Sequence, residues 1–207
     1  MIQGVTNMHA RVEGKTPSGE AYRALDPELL DWVAATAAYG FLTAYDRFVA
    51  KVSPEDQARF YAEGEPVLSL YGVKKPLKSD ADFLAMMESL APRFEPHPIV
   101  GEFLAIIQSG RAAPGLPKRL HNAMARGAVS ILPPLVRERL QLGREYDLKP
   151  LDYLLLKLGG AAAERRPQLN SPPCQASLRL GLPADFLYRR PAEQRRLLAE
   201  RAATATT

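Results

Sequence analysis

The chain has 207 residues, 46% of them hydrophobic and 24% charged, with a formal net charge of +4. That is the balance of a globular domain with a sizeable core, and it excludes a disordered or collagen-like chain. Cys174 is the single cysteine, which rules out a disulfide framework and a cysteine-based zinc site. No apolar run approaches the roughly 18 residues needed to span a bilayer, and no signal peptide opens the chain, so the expected location is the cytoplasm. Helices are predicted in chain order. Ile2, Val5, His9 and Val12 fall on one face if the first segment is helical, which would carry the imidazole toward the core with an apolar stripe. There it would need a carbonyl, a buried water or a metal as partner. Asp26-Pro27-Glu28 reads as a helix start, and apolar residues from Leu29 to Val52 at steps of three and four predict a long helix of about seven turns. Ser53-Pro54-Glu55-Asp56 opens a second helix to about Leu70, and Ser79-Asp80 a third to about Ala91.

Further helices are predicted over Ile99 to Gln108, Pro117 to Leu132, Leu135 to Leu142, Leu151 to Leu158 and Pro191 to Ala202. No segment alternates well enough to predict a strand. The expected fold class is all-α, a single-domain multi-helix bundle over 1–160. A flexible connection from Ala161 to Pro173 and a basic helical tail complete 161–207. Charge is uneven: residues 1–100 carry ten Lys/Arg against fourteen Asp/Glu, and 101–207 carry seventeen against nine. The arginines of Arg189 to Arg196 could meet phosphate or an acidic membrane, but a solvated helix face is the plainer reading, and no specific nucleic acid is expected.

Phosphate loops, dinucleotide fingerprints, serine-hydrolase elbows and His-Glu-x-x-His are all absent, which removes support for those enzyme classes. Besides His9 there are only His97, between two prolines and read as a turn residue, and His121, after Lys118 and Arg119 and read as a surface residue. Trp32, Tyr39, Phe41 and Tyr45 fit either core packing or the wall of an apolar cavity. Thr36 and Tyr22 are plausible polar pocket residues.

The order Val5-Thr6-Asn7-Met8-His9-Ala10-Arg11-Val12, Tyr22-Arg23-Ala24, Asp26 to Val33, and Ser53-Pro54-Glu55 with Phe60-Tyr61 resembles one known family. Leu70-Tyr71-Gly72-Val73 and Leu132 to Arg137 extend the likeness to about residue 145. The family is that of the rubber oxygenases (latex-clearing proteins) and the MpaB oxygenase of the mycophenolic-acid pathway. The resemblance implies a helical fold with haem b, oxidising an apolar, often isoprenoid-like substrate with dioxygen. His9 stands at the position of the proximal iron ligand, the one cofactor and metal residue it carries over. Two departures accompany it. Relatives usually carry a preceding helical region with an Arg-x-x-x-Thr element on the distal side of the haem, expected to be missing here. They also read Trp-Val-His-Ala-Thr where this chain has Trp32-Val33-Ala34-Ala35-Thr36. The alternative is therefore a degenerate, non-catalytic helical module without haem. A second copy or another partner would then cover the apolar face that such a loss exposes.

Overall fold

The structure, a computed structural model, describes residues 2–16, 19–111 and 114–205. It is 68% helical, with ten α-helices and one two-stranded sheet, so the all-α expectation holds. The helices are α1 (Ile2–His9), α2 (Pro27–Phe48), α3 (Pro54–Leu70), α4 (Asp80–Leu90), α5 (Pro98–Ser109), α6 (Lys118–Ser130), α7 (Pro134–Arg139), α8 (Pro150–Glu164), α9 (Pro172–Arg179) and α10 (Pro191–Ala205). The chain divides into two compact units, residues 1–156 and 157–207, with the division inside α8.

Helix starts follow the local chemistry. Ser53 accepts the Asp56 N–H at 3.1 Å, and Ser79 accepts that of Asp82 at 3.2 Å, each satisfying an N–H the helix leaves unpaired. The Asp82 carboxylate in turn accepts the N–H of Lys78 at 2.9 Å, tying the residue before the cap to the first turn of the helix. Asp26 does otherwise: its carboxylate accepts the Arg23 N–H at 2.8 Å and caps no N–H of α2. It fixes the turn entering the helix instead.

Four expectations need correction. An antiparallel hairpin, β1 (Glu13–Lys15) and β2 (Ala21–Arg23), pairs Gly14 with Tyr22 where no strand was predicted. The stripe at the amino end does not enter a core: α1 buries no residue, His9 is half-buried, and Val12 is exposed beyond the helix end. His121 is buried, not a surface residue; it packs under Gly110, the left-handed cap of α5. Finally, α8 continues to Glu164 and α9 begins at Pro172, so both ends of the expected flexible connection are helical.

The core of the first unit gathers Ala35 and Leu42 of α2, Tyr61 of α3, Leu77, Phe83, Met87 and Leu90 on and before α4, and Val136 of α7. A smaller cluster joins Leu104 of α5 to Ala125 and Val129 of α6. Two buried acids fix the connections. Asp31 accepts the N–H groups of Lys74 and Lys75 at 2.6 and 3.1 Å, tying the α3–α4 loop to α2. Asp152 takes a bidentate pair from Arg126 at 2.6 and 2.9 Å, tying α8 to α6. In the second unit, Cys174, Ser177, Leu182 and Phe186 are buried, and the Gln194 amide of α10 donates to the carbonyls of Phe186 and Arg189.

Candidate functional site

The face of α2 carrying Trp32, Thr36, Tyr39 and Gly40 borders a cavity of about 400 Å³. Steps of four and three put these positions on one side of the helix. Phe83 and Met87 of α4 form a second wall, Phe94 and Val100 a third, and Leu132, Val136 and Leu140 around α7 a fourth. Aromatic contacts stiffen the walls. Tyr39 stacks on Phe83 with ring centroids 4.0 Å apart, and Trp32 meets Phe94 at 5.8 Å.

The polar groups of this cavity are already engaged. Thr36 donates its hydroxyl to the carbonyls of Trp32 and Val33, the back-bonding usual for a helical threonine. The Tyr39 hydroxyl donates to the Ile131 carbonyl at 3.4 Å. Desolvation raises the Tyr39 pKa, with the Asp80 carboxylate adding to the effect. Desolvation also raises that of Tyr61, whose hydroxyl donates to Asp80 at 2.6 Å. Both phenols therefore stay protonated near neutrality and serve as donors, not bases. Arg93 and Glu95, the charged lining residues, are exposed, and Arg93 pairs with Glu28 at 2.7 Å. The cavity's lining is chiefly apolar, with no histidine or cysteine among the side chains that border it.

Two other hollows differ in character. One of about 620 Å³ lies over the hairpin, with Glu13, Lys15, Tyr22, Arg23 and Asp26 in its walls. Those side chains are mostly exposed, so we place the apolar site at α2 instead. The other, about 270 Å³, runs between α2 and α3 past Ala34, Phe41, Phe60 and Gly64. The anticipated residues thus separate: Trp32, Thr36 and Tyr39 share the cavity, Tyr22 faces the hairpin hollow, and Phe41 lies in the α2–α3 groove. Phe83, Met87 and Phe94 were not singled out in sequence. Only their meeting with α2, some fifty residues away, marks them.

His9 lines none of these three hollows. It ends α1, its carbonyl accepts the Val12 N–H at 2.9 Å, and no hydrogen bond reaches its imidazole among the described residues. His97 is engaged at the start of α5, where Nδ1 accepts the Ile99 N–H at 3.2 Å. No group of three or more His, Cys, Asp or Glu able to hold a metal ion occurs among the described residues. A haem would ask less of the protein than a bare metal ion, because a single imidazole could hold it. His9 fits that single bond: its ring is half-exposed and uncommitted.

Residues 1–161 match the family described as "ER-bound oxygenase mpaB/B'/Rubber oxygenase, catalytic domain". The chain belongs to this family. The match spans α1 through most of α8, taking in both His9 and the α2 cavity. No curated protein and no solved structure matches the chain. Among the described residues, no helix is long and apolar enough to cross a membrane.

Proposed function

We propose that this chain is a haem b-dependent oxygenase domain acting with dioxygen on an apolar organic substrate, with His9 as the iron ligand and the α2 cavity as the substrate's seat. The observation that carries the reading is the cavity, in a chain of an oxygenase family: apolar walls, two aromatic contacts and hydroxyls already satisfied. A neutral, apolar molecule enters such a space without stranding a polar group. Bound haem would supply the dioxygen chemistry that amino-acid side chains lack. The work left to the chain is to offer the His9 nitrogen, to hold the substrate against Trp32 and Phe83, and to keep water out.

The test uses the purified full chain and two readouts. Added haemin should produce a Soret band that His9→Ala abolishes while the helical circular dichroism is unchanged. An isoprenoid alcohol such as farnesol should alter the fluorescence of Trp32, the only tryptophan, and Val136→Phe, which narrows the cavity, should weaken its binding. Failure to take up haemin refutes the oxygenase reading whatever the second readout gives.

One observation favours a second reading, a helical module that binds an apolar molecule without haem. His9 lies off the cavity, on a helix that buries none of its residues. Farnesol binding without haemin uptake is the outcome this reading expects.

A further inference from the structure

The α2 cavity has an apolar inner wall and a charged edge. Phe83, Met87 and Val136 are buried and form the inner wall, while Arg93 and Glu95 are exposed. Arg93 is the anchored member of the charged edge. Its Nη1 donates to Glu28 of α2 at 2.7 Å, and the next residue, Phe94, sets its ring 5.8 Å from that of Trp32. Glu28 and Trp32 stand one turn apart on α2, so the guanidinium is held beside the aromatic rim of the cavity. Only one nitrogen is used there: among the described residues nothing accepts from Nε or Nη2 of Arg93, and nothing donates to the Glu95 carboxylate.

A second hollow of about 470 Å³ shares Trp32 with the cavity and is bordered by Glu28, Asp31, Lys74, Lys75 and Ser89. Both of its acids are engaged, Glu28 by Arg93 and Asp31 by the N–H groups of Lys74 and Lys75. The two lysine ammonium groups have no acid paired with them among the described residues. Around Trp32, unspent positive charge on Arg93, Lys74 and Lys75 therefore outweighs Glu95.

We propose that the ligand of the α2 cavity is an amphiphile with an apolar tail and a carboxylate head, and that Arg93 selects it. The tail lies against Phe83, Met87 and Val136, and the head accepts from Nε–H and Nη2–H of Arg93. The inference rests on the cavity as the substrate's seat, and not on haem. Arginine suits the task because its planar fork matches two carboxylate oxygens and keeps its charge. Lys74 and Lys75 add a favourable field without having to touch the head. An amine head would instead face the fixed guanidinium, with only the unanchored Glu95 to receive it.

Titrations of the full chain with farnesol, farnesoate and farnesylamine, below their critical micelle concentrations, vary the head on one tail. Fluorescence of Trp32, the only tryptophan, reads binding at the rim. Farnesoate should bind about fivefold tighter than farnesol, the scale of one partly exposed charged pair, and added salt should erode the difference. Arg93→Gln should bring farnesoate down to the affinity of farnesol, and Arg93→Lys should restore part of the preference, with circular dichroism unchanged in both. Three outcomes overturn the proposal and leave the cavity standing as the seat. They are farnesol bound as tightly as farnesoate, a preference for farnesoate that survives Arg93→Gln, and farnesylamine bound tightest. Binding of none of the three overturns the seat and this proposal together.

Discussion

Replacing Asp152 with alanine should destabilise the first unit far more than any surface change. The Arg126 and Asp152 side chains are only 15% and 6% exposed, and they share two charged hydrogen bonds at 2.6 and 2.9 Å. Removing the acid leaves a guanidinium in a largely desolvated place, which costs about 3–5 kcal/mol for a fully buried pair. Arg126 retains some access to water, so we expect the lower end, ~3 kcal/mol, or a drop in Tm of ~6–12 °C for a chain of this size. Trp32 fluorescence during urea unfolding reads the unit that holds both residues. The effect should also depend on pH. The Arg126 hydrogen bond holds the Asp152 carboxyl below its ordinary value of 3.8. The pair's contribution is therefore fully present above pH 4 and is lost as pH falls through the lower folded value. Wild type and Asp152→Ala should converge in strong acid. A loss below about 1 kcal/mol at neutral pH, the scale of a solvent-exposed pair, would refute the reasoning.

Three further outcomes follow from contacts in the same unit. Gly127→Ala places a methyl 2.8 Å from a terminal carbon of Leu156, and should cost about 1 kcal/mol in urea unfolding that Leu156→Ala partly returns. Gly110→Ala meets both a φ of +82° and the His121 ring 2.9 Å away, so a loss of about 2 kcal/mol is expected by the same assay. Tyr39 and Tyr61 should resist ionisation in an absorbance titration until the protein unfolds. Their raised values keep the folded state protonated where the unfolded state is not, so stability should fall as pH rises above about 10. Tyr61→Phe should shrink the delayed absorbance step.

What the sequence discloses and what it conceals divide along the range of the interactions. The Ser53 and Ser79 caps and the extents of α2, α3 and α4 come from neighbours within four residues, so period and capping chemistry suffice. The hairpin escapes because each strand has three residues, too few for alternation to register. His121 was misplaced because Lys118 and Arg119 precede it, yet it shares the buried face of α6 with Ala125 and Val129 at steps of four. The α2 cavity was half legible: Trp32, Thr36 and Tyr39 are visibly on one face, but the walls from Phe83, Phe94 and Val136 depend on packing between distant segments. Asp152 was least legible. An acid in a leucine run reads as the solvent side of a helix, and only Arg126, twenty-six residues earlier, reverses that orientation.

The chemistry available around the cavity bears on what this family member can do. Tyr39 is kept protonated, Thr36 is bound to its own helix, and no histidine or cysteine lines the walls, so under the proposed function the cavity would seat the substrate and leave oxidation to a bound group. In that reading the oxidising group is haem, and among the described residues His9 is the imidazole we propose to hold it. In the proposed reading, occupancy of the cavity and loading of haem would be separate properties, resting on different helices and open to separate loss. A chain that kept the first and lost the second would still bind apolar molecules, as a carrier and not as an oxygenase. For that reason the haemin titration of wild type and His9→Ala, and not affinity for an apolar ligand, is the measurement that separates the oxygenase reading from the carrier reading.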